Sequence, residues 1–271
     1  MQGRRRQRRW RRLARIGALA AVVAAAAAAS VGDGRAADLT VKEVVAVLAS
    51  ATPTAPADLS GKNLAGLDLS EMDFRHGNLS HADLTGADLS GADLSGTDLS
   101  GARLDRTTII RTNFAGANLS RATLLAPQAF PGLQPTIADA PSFRGANLSG
   151  ARILAALAGV DMRDVDAPGL RMSADRSQRE LRPPRSELLD GKLSGARFAR
   201  ADLREVVFAF ADLTGADFSD SDLRRADFTG ATLTGATLAR ADLDGAIFRN
   251  VRGLDLAVGI DQARNIERAI R

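Results

Sequence analysis

Large apolar residues recur along this chain at every fifth position. Reading from Ala57, fourteen consecutive pentads (ADLSG, KNLAG, LDLSE, MDFRH and onward to ATLLA) have Leu, Ile or Phe at the centre, from Leu59 to Leu124. Twelve more centres run from Leu193 to Phe248, and Phe143, Leu148 and Ile153 add three. A period of five fits neither the roughly 3.6 of an amphipathic helix nor the roughly 2 of a half-buried strand. It fits a coil of square cross-section, with one pentad per side and twenty residues per turn. The central residue, position i, then points inward. Position i−2, mostly Ala, also points inward and is small because it sits at a crowded corner. Asp or Asn at i−1, Ser or Thr at i+1, and Gly or Arg at i+2 face out. Turns stacked ~4.8 Å apart pair their backbone groups with the turns above and below. Short Asp and Asn side chains suit the i−1 position because they can bond the nearby backbone.

Thirty centres, counting Leu188, correspond to about 7–8 coils and a rod of about 35 Å at strand spacing. Burying each one contributes roughly 1.5–3 kcal/mol, most of it offset by ordering the backbone. Stacked ends need covering. At one end, Thr40 and Glu43 have capping-box spacing, and Val41, Val44, Val45 and Leu48 share a helical face. At the other, Asp261 is placed to cap a helix in which Ile266 and Ile270 form an i,i+4 pair.

The period fails in two places. Nineteen residues separate Leu124 from Phe143, one short of a turn, and the segment holds Pro127, Pro131, Pro135 and Pro141. Proline cannot donate to a ladder, so an irregular coil or protruding loop is expected. Leu157, Met162, Ala167 and Met172 then keep the spacing one residue out of step, and residues 173–187 lose it. The chain therefore divides into a leader (1–36), an N-terminal capping helix and linker (37–56), a first array (57–126), a Pro-rich coil or loop (127–142), irregular repeats (143–172), an Arg/Pro-rich loop (173–187), a second array (188–250) and a C-terminal capping helix (251–271).

The leader changes the charge picture. Residues 1–15 hold eight Arg and no acid, an Ala-rich apolar stretch follows from Ile16 to Val31, and Gly34-Arg35-Ala36 supplies small residues. That order matches a secretory signal, with cleavage expected after Ala36. The alternatives are an uncleaved anchor, for which the apolar stretch is short, and a basic nucleic-acid arm. Export implies a periplasmic or secreted protein that meets the membrane only transiently, through this signal. The whole chain is net +4, but residues 1–37 carry nine Arg and one acid, leaving 27 basic and 31 acidic residues, net −4. The basic isoelectric point belongs to the precursor and gives no argument for nucleic-acid binding. The absence of Tyr, and a single Trp in the leader, leaves few stacking platforms for bases.

The tandem A(D/N)LXX pentads resemble those of the pentapeptide-repeat proteins, over most of residues 57–250. The resemblance implies an all-β solenoid, a right-handed quadrilateral β-helix, with little implied chemistry. The arrangement of leader, short helix, two arrays and irregular middle is similar to exported bacterial members of that family.

Candidate chemistry is sparse. Without Cys, disulfides, thiolate metal sites and a Cys nucleophile are excluded. His76 and His81 both occupy i+2, on successive sides, which disfavours a metal site or a Ser-His-Asp triad. Columns such as Asp202, Asp222 and Asp242 offer one carboxylate per turn rather than a converging cage for calcium. No metal, cofactor or catalytic residue is assigned. Loops carry function more often than scaffolds do, so Arg176, Arg179, Arg182 and Arg185 are the candidate partner-contact residues, against the alternative of a tolerated insertion. The expectation is a non-enzymatic exported scaffold that binds an unidentified protein or has a structural role in the periplasm. Two rivals remain. One is a DNA mimic acting on DNA gyrase, as the resemblance allows, but scattered Arg and the export signal weigh against it. The other is a secreted effector.

Overall fold

The computed structural model describes residues 36–52, 54–132, 136–174 and 185–270. The pentads wind in four-sided turns. Parallel bridges join each i−1 residue to the one twenty positions on: Asp58 to Asn78, Asn63 to Asp83, Asp68 to Asp88 and Asp73 to Asp93. These four pairs begin the first, second, third and fourth sides. The central residues are sealed inside, Leu89, Leu94, Leu99, Phe208 and Phe228 among them at 0% exposure. Phenylalanines stack directly across turns, with ring centroids 5.2 Å apart for Phe208 and Phe228 and 5.1 Å for Phe228 and Phe248.

One pentad, Ala87 to Gly91, shows why these residue types recur. Ala87 N–H donates to Leu84 O at 2.9 Å, closing the corner. Asp88 N–H donates to Leu67 O on the preceding turn, and Leu89 N–H to Thr108 O on the following one. Gly91 N–H donates to Ile110 O at 2.8 Å. Ser90 N–H has no ladder partner and donates instead to Asp88 Oδ1 at 2.9 Å. All five amides are thereby satisfied, as burial against a packed coil demands. The i−1 carboxylate or amide is thus a backbone partner. Gly91 has φ +65°, a left-handed turn that glycine adopts without a Cβ clash. Long residues at the same turn position lie over a neighbouring glycine, as His76 does over Gly96 and Phe210 over Gly230.

The corner position tolerates more than Ala. Met72, Val160, Val165, Leu170 and Val206 all occupy i−2 and are buried. Leu170 and Val165 flank the small centre Ala167, so corner bulk fills the volume that a missing central leucine would leave.

α1 spans Val41–Ser50, with the Thr40–Glu43 capping box formed: Thr40 N–H donates to Glu43 Oε2 at 2.7 Å. Val44 is buried, and Val41, Val45, Val47 and Leu48 pack against the core. The segment ahead of α1 is tied to the first turn by Asp38 N–H donating to Asn63 O and Asn63 N–H to Asp38 Oδ2.

The irregular middle belongs to the coil. Gln128 bridges to Thr108 as an ordinary third side, and Ser142 then bridges to Asn113, twenty-nine residues back. The proline-rich segment is therefore one regular side plus a nine-residue excursion, within which Ile137–Asp139 forms a 3₁₀ turn. Phe114 and Phe143 stack at 4.8 Å across it. β1 (Thr123–Leu125) and β2 (Arg152–Leu154) pair in parallel. Beyond β2 a four-residue side brings Leu157 inward, so Leu157, Met162 and Met172 are buried in step with the turns around them. The second excursion lies between Arg171 and Glu187, which follow one another on the second and third sides.

The C-terminal α-helix expected over residues 251–271 does not form in the described part. Gly253, Gly259 and Asn265 adopt left-handed φ of 65°, 68° and 59° and each precedes a 3₁₀ turn, at Leu254–Leu256, Ile260–Gln262 and Ile266–Arg268. A residue with positive φ ends an α-helix rather than continuing it. Asp261 is inside such a turn and caps nothing, since Gly259 holds the N-cap position. The period here is six: Leu254, Ile260 and Ile266 rest on the core, while Val258, Arg264 and Ile270 bridge to Thr237, Asp242 and Ile247. With the irregular segments and this last turn included, the first side has ten rungs from Asp58 to Val258. That exceeds the 7–8 turns expected and gives a stack of about 43 Å.

Asp88→Ala removes the acceptor for Ser90 N–H and is expected to cost about 1 kcal/mol. Leu89→Asp places a carboxylate in the sealed interior and is expected to cost more than about 3 kcal/mol. Urea denaturation of both variants checks the ordering, and equal midpoints would reverse the inward and outward assignments.

Candidate interaction surface

The outer surface is a set of charge ladders. On the second side, Arg204 Nε and Nη2 donate to both oxygens of Asp202 at 2.8 and 2.7 Å, and Ser173 Oγ donates to the same carboxylate at 2.6 Å. One rung on, Arg224 grips Asp222 in the same forked way at 2.8 and 2.6 Å. Arg204 also lies 3.6 Å from Asp222, and Arg224 4.0 Å from Asp242. The Asp202, Asp222 and Asp242 column is thus interleaved with guanidinium groups, and its oxygens are engaged by arginine, serine and backbone. Other ladders join Arg75 to Asp73, Arg163 to Asp161 and Arg240 to Asp220. Exposed pairs of this kind contribute little to stability, because solvent screens them.

Several carboxyls are held below their ordinary range. For Asp73 and Asp161 the main cause is the hydrogen bond from Arg75 and Arg163 respectively, and for Asp220 it is that from Arg240. At Asp202 burial pushes the carboxyl up, but the hydrogen bonds from Arg204 and Ser173, with the Arg204 charge and backbone amide, lower it and the net shift is downward.

His76 and His81 are exposed at left-handed turn positions, φ 58° each, on successive sides. Of the candidate contact residues, Arg176, Arg179 and Arg182 lie outside the described residues. Arg185 is exposed, next to Ser186, whose buried Oγ donates to Met172 O at 2.8 Å. The leader, with its signal, also lies outside the described residues. No helix among the described residues is long and apolar enough to cross a membrane.

Two surface features were not identified from sequence. Ile137 and Phe210 are each 62% exposed. Phe210 sits at a left-handed turn position, φ 61°, where the pentad pattern marks only an outward place and gives no reason for an aromatic ring. The second is an open depression of about 460 Å³ on the second side, lined by Arg152, Arg171, Ser173, Arg204, Arg224 and Arg225, with Glu205 and Asp244 also at its wall. Arg152 and Arg171 share a column only because of the four-residue side between them, so regular twenty-residue counting does not bring them together.

The model of the pentapeptide-repeat family matches this chain in eight copies, over residues 57–91, 87–124, 190–220 and 211–250. Over these two arrays the chain is built of pentapeptide repeats of that family. Among solved structures it is similar to HetL, a pentapeptide repeat protein involved in heterocyst differentiation regulation in the cyanobacterium Nostoc sp. strain PCC 7120. That match has 24% identity and a TM-score of 0.37, and covers 83% of this chain and 94% of HetL. A pentapeptide repeat protein of the Arabidopsis thaliana thylakoid lumen shares 27% identity over 43% of this chain and 65% of its own, with a TM-score of 0.25. QnrB1, a plasmid-mediated fluoroquinolone resistance protein, shares 16% identity over 70% of this chain and 73% of its own, with a TM-score of 0.37. A comparison with curated protein sequences gave no match.

A carboxyl whose folded pKa is depressed stabilises the fold above its unfolded pKa, and that contribution is lost as pH falls through the folded value. The melting temperature is therefore expected to be flat above about pH 5 and to drop below about pH 4. In a variant combining Asp73→Asn, Asp161→Asn and Asp202→Asn the drop should be shallower, measured by thermal melts across that range.

Proposed function

We propose that this protein is an exported bacterial pentapeptide-repeat protein, a right-handed quadrilateral β-helix with no enzymatic activity. It acts in the periplasm as a protein–protein interaction or structural scaffold. The observation that supports this reading is the division of labour between inside and outside. Inward positions are filled by Leu, Phe and Ala at or near zero exposure. Outward carboxylates are committed to their own backbone amides and to arginines on their own or adjacent rungs. What is left for function is a long, ordered outer surface, the usual arrangement by which a repeat scaffold presents a binding face. Export rests on the Arg-rich, then Ala-rich leader. Mixed-sign ladders on the outside, with a net charge of −4 without the leader, favour this reading over a DNA mimic.

Cell fractionation with N-terminal sequencing is expected to find a periplasmic chain that begins near Ala37. An uncut chain in the cytoplasm would overturn the export assignment. Affinity capture from periplasmic extract, with the full chain and with a variant lacking residues 173–187, is expected to recover a partner that the deletion loses. A gyrase supercoiling assay at micromolar protein is expected to show no inhibition.

A further inference from the structure

Among the parallel bridges of the described residues, arginine stacks on arginine at one place, Arg152 with Arg171 on the second side. Both occupy the i−1 position. Their backbones are fixed by Arg152 N–H donating to Ala122 O at 2.9 Å and Arg171 N–H to Ala151 O at 3.0 Å. Two cations therefore leave the same face one rung apart, roughly 4.8 Å at the backbone. Elsewhere in this column arginine is matched with acid: Arg103 lies 3.4 Å from Asp83, and Asp202 is gripped by Arg204. Arg152 and Arg171 have no ion pair or side-chain hydrogen bond with any described residue. On the rung before Arg152 stands Thr123, which carries no charge. On the rung after Arg171 stands Asp202, whose oxygens already accept from Arg204 and Ser173.

Both arginines line the depression on this side. The other charges at its wall are internally balanced. Arg204 and Arg224 are held by Asp202 and Asp222, Arg225 lies 3.5 Å from Glu205, and Asp244 lies 3.7 Å from Arg268. Among the described residues, the charge at this wall without an acidic partner is therefore that of Arg152 and Arg171. Like charges one rung apart repel, and a shared anion relieves the repulsion. Arginine's planar fork matches tetrahedral oxyanions with two parallel hydrogen bonds.

We propose that Arg152 and Arg171 form a binding site for a polyvalent phosphoryl oxyanion of the diphosphate class, with one phosphoryl group taken by each guanidinium. The site lies on the rod's flank and is independent of the scaffold role proposed above. Its backbone is fixed by the ladder, so only the two side chains need ordering when the ligand binds.

The test is calorimetric titration of the full chain with inorganic diphosphate at constant ionic strength, with sodium chloride as the control. Saturable binding with one site per chain is expected. Arg152→Gln or Arg171→Gln should each weaken it about tenfold, the loss of one charge-assisted pair. Arg249→Gln, which removes an exposed arginine of the third side outside the depression, should leave it unchanged. Diphosphate should also raise the melting temperature of the unsubstituted chain and not that of the double variant. The melting temperature without ligand reports whether each variant is folded, so a misfolded variant is recognised and the remaining single variant decides. Absence of saturable binding, or equal weakening by Arg249→Gln, would overturn the assignment. Capture of a partner by the scaffold would be unaffected by either result.

Discussion

The regular sides of this structure are closed by a hydrogen bond spanning two residues: the Asp or Asn side-chain oxygen at i−1 accepting from the i+1 amide. Four of the five amides in a side find carbonyls on neighbouring turns or across the corner. Where Asp or Asn stands at i−1, the fifth finds that side chain, as Ser90 finds Asp88 and Ser80 finds Asn78. A square turn packed around leucine would otherwise leave one donor per side without a protein partner. The composition of the repeat follows from this. Leucine or phenylalanine fills the axis, alanine or another compact group fills the corner, the acid or amide closes the bend, and glycine or a residue that accepts a left-handed turn begins the next side.

With the bends closed locally, the outer face is free to vary, and it varies by charge. The second side changes along its length from mixed polar residues, through adjacent arginines, to a regularly interleaved acid–arginine ladder. The ladder is inexpensive in backbone terms because every side chain in it starts from a bridge position already set by the core. Individual pairs contribute little. Their collective effect is to neutralise carboxylates that the bends require but that would otherwise repel one another up the column.

Much of this was legible in the sequence, and what was not has physical causes. A five-residue period admits few backbones, so Leu59 to Leu124 and Leu193 to Phe248 point inward as the spacing implies. Thr40 and Glu43 marked α1 because a capping box is a local signal. The C-terminal turn was misread because Ile266 and Ile270 are four apart, which is helical spacing, whereas the informative spacing was the six between Ile260 and Ile266 and between Gly259 and Asn265. The middle was undercounted because a turn can absorb a nine-residue excursion in one place and a missing residue in another while its centres stay aligned. The depression around Arg152 and Arg171 was invisible for the same reason: which residues share a column depends on the lengths of insertions, and those lengths carry no hydropathy pattern.

The unequal turns have a consequence for how the chain finds its structure. In Ala82–Gly96 the side ADLTG is followed by ADLSG twice, so a newly made chain could slide by one whole turn and still bury leucine on leucine. Turns of twenty-nine, nineteen and thirty-one residues remove that degeneracy. A shift by one turn across the middle would place a bend where a core leucine belongs. The irregular segments thereby act as an index mark on an otherwise evenly graduated scale, and give a repetitive polymer one address for each of its parts.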